Sequence, residues 1–174
     1  MFMMGLSLIY ELITCAKTNQ MNMGGNIMIK GFELTEEYVQ FFDEIATWEE
    51  AVQLSANPLL KGGEIKQSYI DGMIESVKEH GPYIVIAPNI ALPHARPETG
   101  SVKIGFSVMK LKKPVSFLED GSADASLFIA LSCVDADTHL EMLQEIVMIL
   151  SDQDKHDAIF AATTKEEMLA LFNV

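Results

Sequence analysis

The stretch that decides the fold is ASLFIALSCV, residues 125–134, an almost unbroken apolar run in the second half of the chain. A run of this kind is typical of a central β-strand whose two faces are both covered, so helices are expected on both sides of the sheet. Alternating apolar residues over 102–108 predict a second strand, and residues 83–87 predict a further buried strand.

Two helices are expected before these strands. Thr47 and Glu50 have the spacing of a capping box, which predicts a helix start, and Pro58 is expected to kink or end that helix. Apolar residues at helical spacing over 69–77 predict a second helix, which the Gly-Pro pair at 81–82 stops.

A third helix is expected directly after the central strand. Thr138 and Glu141 again match a capping box, which predicts Thr138 as the N-cap. Met142 and Met148 are expected in the core. The apolar residues that follow the cap at helical spacing are predicted to form its buried stripe, namely Leu140, Leu143, Ile146, Val147 and Leu150.

The remaining segments complete an alternating pattern. Short helices are predicted over 155–160 and 164–172, whereas residues 38–45 fit either a strand or a short helix. Because helices and strands interleave throughout, the predicted fold is a single α/β domain, with a mixed β-sheet flanked by helices on both faces.

The charge balance excludes one class of partner. Twelve basic and 25 acidic residues give the 174-residue chain a net charge of −13. Such a charge repels nucleic acid and anionic membranes and favours a partner with a basic docking face. The two cysteines, Cys15 and Cys133, form no CxxC pair, which favours a reduced, cytoplasmic setting.

The N-terminal segment is treated separately from the domain. Residues 1–15 are apolar enough to suggest a signal peptide, but no basic residue precedes them, so export is the less favoured interpretation. We expect residues 1–28 to be a non-catalytic extension or the product of an upstream start, and residues 29–174 to form the domain.

His94 is the first candidate functional residue. Pro93 and Pro97 restrict the backbone around it, so the imidazole is held with little freedom. Arg96, the only arginine in the chain, lies two residues later, and in an extended segment both side chains point to the same side. An imidazole nucleophile beside a guanidinium predicts a phosphate site.

His139 is the second candidate. At a helix start it would lie among free backbone N–H groups and the positive end of the dipole, which favour a bound anion and a neutral imidazole. The alternative is a solvated loop histidine at 94 and an ordinary cap residue at 139. His80 and His156 are expected at surface or structural positions, and a metal site built on His94 and His139 is less favoured than phosphate.

The residues around both histidines resemble a known family. The run IALPHARPE at 90–98, followed by DTH at 137–139, is similar to the mannitol/fructose-type enzyme IIA domain of the bacterial sugar phosphotransferase system. The resemblance extends from about residue 30 to the C-terminus. The segments HGPY at 80–83, AP at 87–88 and LKKP at 111–114 resemble its ascorbate-type branch.

This resemblance implies a cytoplasmic phosphoryl carrier that needs no cofactor or metal. His94 would accept the phosphoryl group from HPr, as a tele-phosphohistidine, and pass it to a cysteine of enzyme IIB, which serves a membrane enzyme IIC. His139 would hold the phosphoryl oxygens, and ascorbate or a related sugar would be transported. Mannitol-like members have an arginine at the position of Ser76, and Arg96 is expected to supply that charge here.

Two other functions are compatible with the sequence. A regulatory domain of the nitrogen-type enzyme IIA kind would use phosphorylated His94 to change its binding to a target protein. A metal-dependent hydrolase would instead use the histidines as ligands.

Overall fold

A five-stranded mixed sheet forms the middle layer of the protein. The computed structural model describes residues 31–172. Its strands are Val39–Phe42 (β1), Val85–Ala87 (β2), Asn89–Ala91 (β3), Gly105–Ser116 (β4) and Asp124–Ser132 (β5). They lie in the order β1-β4-β5-β3-β2, with β1 parallel to β4, β4 antiparallel to β5, β3 parallel to β5, and β2 antiparallel to β3. The predicted mixed sheet is confirmed.

Helices cover both faces of this sheet, as predicted. They are Trp48–Gly62 (α1), Gln67–His80 (α2), Ala136–Ser151 (α3), Gln153–Ala161 (α4) and Lys165–Phe172 (α5). The first two pack on one face, and the last three pack on the other. None of the helices within residues 31–172 is both long enough and apolar enough to cross a membrane.

Strand β5 explains why both faces need covering. Phe128 and Ala130 belong to the core cluster beneath α1 and α2, whereas Leu127, Ile129 and Leu131 belong to the cluster beneath α3 to α5. Because side chains alternate between the faces of a strand, an apolar residue at nearly every position demands two cores. The prediction of a central strand over 125–134 is confirmed, although β5 ends at Ser132.

Strand β4 differs from its predicted form. It begins at Gly105, after Val102, which is 48% exposed, and it continues to Ser116. Ser107 and Met109, which alternate with the apolar residues of the predicted strand, are buried as well, because helices cover both faces of the sheet. The Ser107 hydroxyl donates a hydrogen bond to the Ser55 carbonyl at 2.6 Å, which satisfies this buried polar group.

The prediction of a buried strand over 83–87 is confirmed only in part, because a strand is present there but it is shorter and less buried than expected. Strand β2 is only Val85–Ala87 and lies at the edge of the sheet, hydrogen-bonded to β3 alone, so its residues are half-buried. Segment 38–45, whose type the sequence left open, contains the strand β1, which a 3₁₀ turn at Glu36–Tyr38 precedes.

Helix α1 begins as predicted but does not end at Pro58. Thr47 is the N-cap, and its side-chain oxygen accepts a hydrogen bond from the backbone N–H of Glu50 at 3.2 Å. Proline removes the N–H that the carbonyl four residues earlier normally receives. Here the Leu54 carbonyl accepts a hydrogen bond from Gln40 Nε2 at 2.8 Å instead, and the helix continues to Gly62.

Helix α2 ends where the sequence predicts. Gly81 is its C-cap, with a φ of 80°, a left-handed value that a residue without a Cβ adopts at no steric cost. The two predicted C-terminal helices are also present as α4 and α5. The expectation that residues 1–28 are a non-catalytic extension concerns a segment outside the described residues.

The predicted start of helix α3 is wrong. Asp135, not Thr138, is the N-cap, and its carboxylate accepts a hydrogen bond from the backbone N–H of Thr138 at 2.7 Å. The helix therefore begins at Ala136, and His139 is its fourth residue.

The predicted buried stripe of α3 is confirmed only in part, because Ile146 and Val147 are buried as predicted but the other predicted positions are not. Its buried residues include Thr138, Met142, Ile146 and Ile149, which are spaced by three or four positions. A residue two positions from such a stripe points about 200° away from it. For this reason, Leu140 is 40% exposed and Met148 is 52% exposed, although both were expected in the core.

Candidate functional site

The loop that follows β3 carries His94, and backbone hydrogen bonds fasten it to the sheet. The Leu92 N–H donates to the Ile84 carbonyl at 2.8 Å, and the Leu131 N–H in β5 donates to the Pro93 carbonyl at 2.9 Å. The loop is therefore held on both sides of the residue that precedes His94, and the imidazole has a defined position next to the end of the central strand.

A buried tyrosine holds the same loop from below. The Tyr69 hydroxyl in α2 lies 3.0 Å from the Ala95 carbonyl and 3.1 Å from the Leu131 carbonyl. Burial raises the pKa of Tyr69, so the phenol keeps its proton and remains a donor. Helix α2, the His94 loop and β5 thus meet at one side chain.

The position of the imidazole fixes the tautomer of His94. Its Nδ1 atom lies 2.7 Å from the Leu92 carbonyl oxygen, which only accepts hydrogen bonds, so Nδ1 carries the proton. Burial lowers the pKa of His94 to about 4, the Leu92 carbonyl opposes this shift, and His139 adds to it. At neutral pH the ring is therefore uncharged, and the lone pair on Nε2 is available as a nucleophile.

His139 lies directly beside His94. The two ring centroids are 4.9 Å apart, and the ring planes are inclined by 45°. Burial lowers the pKa of His139, so it too is neutral at pH 7. The structure brings the two candidate residues together, because the chain leaves β5 next to the His94 loop and enters α3 within a few residues.

The electrostatics at the start of α3 differ from the expectation. The Asp135 carboxylate accepts hydrogen bonds from both the backbone N–H and the hydroxyl of Thr138, at 2.7 and 2.6 Å. The helix terminus therefore already has an anion at its cap. The imidazole of His139, rather than free backbone N–H groups, is the hydrogen-bonding group of α3 that contacts His94.

Both histidines line an open cavity of about 680 Å³. The exposed Arg96 lines it as well, so the structure brings together all three residues that the sequence singled out. Its guanidinium makes no ion pair with any carboxylate of residues 31–172, and it is therefore free to bind an anion.

Sequence reasoning did not place Tyr83 at this cavity. Tyr83 packs edge-on against His94, with ring centroids 5.7 Å apart and planes at 90°. His80 lines the rim, and its side chain is 60% exposed, consistent with its predicted surface position. The Gly-Pro pair that stops α2 was the available signal, since it turns the chain back toward the loop. His156 lies elsewhere, in a separate cavity with Phe160.

Other reactive groups are less suited to nucleophilic chemistry. Burial raises the pKa of the Cys133 thiol to about 12, so this side chain at the end of β5 stays protonated. The described part of the chain contains no group of three or more His, Cys, Asp or Glu side chains placed to hold a metal ion. The cavity instead combines a neutral nucleophile, a second imidazole and a guanidinium, a set suited to an anionic group such as phosphoryl.

Comparison with known proteins agrees with this chemistry. Residues 33–174 match the model of the family described as "Phosphoenolpyruvate-dependent sugar phosphotransferase system, EIIA 2". The chain is 37% identical over 131 residues to the ascorbate-specific PTS system EIIA component of Escherichia coli K12, an alignment that covers 75% of this chain and 85% of that protein.

Two solved structures share the fold. One is the mannitol-specific cryptic phosphotransferase enzyme IIA CmtB from Escherichia coli, with a TM-score of 0.75, 27% identity, and coverage of 84% of this chain and 99% of that one. The other is enzyme IIAMTL from Escherichia coli in complex with phosphorylated enzyme IIBMTL, with a TM-score of 0.71, 25% identity, and coverage of 81% and 97%.

Proposed function

Since the chain belongs to the phosphoenolpyruvate-dependent sugar phosphotransferase system EIIA 2 family, and is thus an enzyme IIA component, we propose that it carries a phosphoryl group on Nε2 of His94. The donor is phosphorylated HPr, and the acceptor is a cysteine of an enzyme IIB. This role is a cytoplasmic one and needs no cofactor. The observation that carries the proposal is the His94 imidazole, with its Nδ1 proton bound to the Leu92 carbonyl and its ring against His139.

The fixed tautomer of His94 suits both steps of the transfer, which are acceptance of the phosphoryl group from HPr and its donation to enzyme IIB. In the first step, the lone pair on His94 Nε2 forms a bond to phosphorus while the phosphorus–nitrogen bond of the donor histidine breaks. No proton has to leave Nε2, because the ring proton is on Nδ1. In the second step, a thiolate of enzyme IIB attacks phosphorus, the bond to Nε2 breaks, and His94 returns to its neutral form.

His139 and Arg96 have supporting roles in this proposal. A phosphoryl group in transfer carries negative charge on its three non-bridging oxygens, and catalysis consists mainly of positioning and charge stabilisation. His139 donates a hydrogen bond to one oxygen, and Arg96, at the open side of the cavity, contributes positive charge. Arg96 thereby supplies the positive charge that mannitol-like members have on an arginine at the position of Ser76.

The partners follow from charge and from the relatives. A net charge of −13 favours association with a basic phosphocarrier. The ascorbate-specific component is 37% identical to this chain and the mannitol-specific enzyme IIA CmtB is 27% identical, which makes ascorbate or a related sugar acid our proposed transport substrate. The sugar is bound by the membrane enzyme IIC, which this protein serves through enzyme IIB.

The test is a reconstituted transfer reaction. Phosphoenolpyruvate, enzyme I and HPr label the protein, which is then mixed with enzyme IIB of an ascorbate system. We expect the label to move rapidly to the IIB cysteine, and a IIB variant with serine at that position to stay unlabelled. A protein that accepts the phosphoryl group but never passes it to any IIB, and instead binds another protein in a phosphorylation-dependent way, would have the regulatory function.

A further inference from the structure

Tyr83 forms a second wall of the cavity beside His94. It follows Gly81 and Pro82 and precedes the edge strand β2, and its ring makes a perpendicular contact with the His94 ring at 5.7 Å. The residue is 41% exposed. The exposed portion lines the same cavity as His94, His139 and Arg96.

The Tyr83 hydroxyl, which also hydrogen-bonds with the Ser76 side chain, has only a weak acceptor for its own proton within the described residues. It lies 3.5 Å from the His94 carbonyl oxygen, at the long limit of a hydrogen bond. An incoming acceptor in the cavity can therefore take this hydrogen bond at little cost. The ring contact alone does not account for the hydroxyl, because a phenylalanine would pack against His94 equally well.

Two polar groups adjoin the phenol. The half-buried Ser76 of α2 forms a side-chain hydrogen bond with it, and the guanidinium of Arg96 acts on it through its charge. Burial raises the pKa of Tyr83, and Ser76 and Arg96 partly oppose that rise, so the hydroxyl is protonated and a donor at neutral pH. A phosphoryl group in this cavity has three non-bridging oxygens, of which His139 and Arg96 do not satisfy every lone pair.

We propose that the Tyr83 hydroxyl donates a hydrogen bond to a phosphoryl oxygen carried on His94, with Ser76 holding the phenol in position. This inference rests on the proposed function and adds a binding residue to it. Tyr83 thus stabilises the phosphorylated form of the protein and has little effect on the stability of the unphosphorylated one.

The test compares Tyr83→Phe with a matched tyrosine elsewhere. Tyr38 donates a hydrogen bond to Glu64 at 3.1 Å, remote from the cavity, so Tyr38→Phe removes a hydroxyl without touching His94. Each protein is phosphorylated by phospho-HPr, to measure the equilibrium constant of transfer, and separately by phosphoramidate, to measure the half-life of phosphohistidine and its ³¹P chemical shift.

We expect Tyr83→Phe to lower the equilibrium constant about 10-fold, the size of one hydrogen bond to a charged group. Its ³¹P shift should change, and the melting temperature of the unphosphorylated protein should stay within experimental error. Ser76→Ala should give a smaller change of the same sign, and Tyr38→Phe should leave the equilibrium unchanged.

The outcomes separate this inference from the proposed function. A labelled wild type with an unaltered equilibrium and ³¹P shift in Tyr83→Phe overturns the role of Tyr83 alone. A wild type that accepts no phosphoryl group from either donor contradicts the proposed function and this inference with it.

Discussion

The Nδ1 atom of His94 lies 2.7 Å from the carbonyl oxygen of Leu92, two residues earlier in the chain. Because a carbonyl only accepts, this contact commits the ring proton to Nδ1 and leaves Nε2 as the nucleophile. We therefore predict that phosphorylation yields tele-phosphohistidine. Long-range proton–nitrogen NMR spectra of ¹⁵N-histidine-labelled protein identify the modified nitrogen, and phosphorus bonded to Nδ1 is the outcome that would contradict the assigned tautomer.

His139→Ala should weaken the phosphorylated state without abolishing it. Loss of one hydrogen bond to a charged group corresponds to about 1.5–3 kcal/mol, or a factor of about 10 to 150 in the transfer equilibrium. The equilibrium with phospho-HPr measures this loss. His156→Ala, which changes a histidine in a different cavity, is the matched control and should behave like wild type. Equal equilibria for wild type and His139→Ala would remove His139 from the site.

The pKa of His94 predicts a specific loss of stability in acid. Burial lowers this pKa from 6.5 to about 4, so below pH 6.5 the unfolded chain binds the proton while the folded protein does not. The free energy of unfolding should therefore fall as the pH falls from about 6.5 to 4, by at most about 3 kcal/mol from this residue.

Urea unfolding of wild type and His94→Gln across this pH range measures the contribution. The variant lacks the titrating group, so its stability should fall less steeply with acidification. His139, whose pKa burial also lowers, contributes with the same sign in both proteins. Parallel curves for the two proteins would show that the His94 pKa is not lowered.

The two aspartate caps provide a matched pair of variants. Asp135 caps α3, and Asp152 caps α4 by accepting a hydrogen bond from the Lys155 N–H at 3.1 Å. Replacing either residue with alanine should cost about 1 kcal/mol of stability. Only Asp135→Ala should also slow labelling of His94, by severalfold, because His139 lies in the first turns of the helix that Asp135 caps. Equal labelling of both variants would show that the cap does not position His139.

The central layer was predictable from the sequence because its signal is local. The apolar run at 125–134 requires cover on both faces wherever its partners lie along the chain. The order of the strands depends instead on long-range pairing, which no short pattern encodes. The prediction that Val102 belongs to a strand failed for this reason, and the prediction that segment 83–87 is a buried strand was confirmed only in part. A sequence pattern alone does not distinguish a strand inside the sheet from the segment that leads into it or from an edge strand.

Helix starts show where local motifs become ambiguous. Thr47 caps α1 as its Thr-x-x-Glu pattern predicts. The same pattern at Thr138 failed, because Asp135, three residues earlier, is a competing cap whose carboxylate binds both the backbone N–H and the hydroxyl of Thr138. Either of the two overlapping cap residues could start a helix as far as the local sequence is concerned, and packing of α3 on the sheet decides between them.

The site was predictable where the chain is rigid. Two prolines and the single arginine marked the His94 loop, and His139 was expected to meet it. Tyr83 was missed because its contact with His94 arises only when the edge strand folds back beside the loop. The continuation of α1 past Pro58 was missed for a similar reason, since the hydrogen bond that Gln40 donates to the Leu54 carbonyl comes from a different element of the fold.

The most direct test of the phosphoryl-carrier role is intact-mass spectrometry after incubation with phosphoenolpyruvate, enzyme I and HPr. We predict one acid-labile phosphoryl group on the wild type, none on His94→Ala, and a reduced fraction on His139→Ala. Labelling of His94→Ala to the wild-type extent would contradict the assignment of His94 as the phosphorylated residue, and an unlabelled wild type would contradict the carrier function itself.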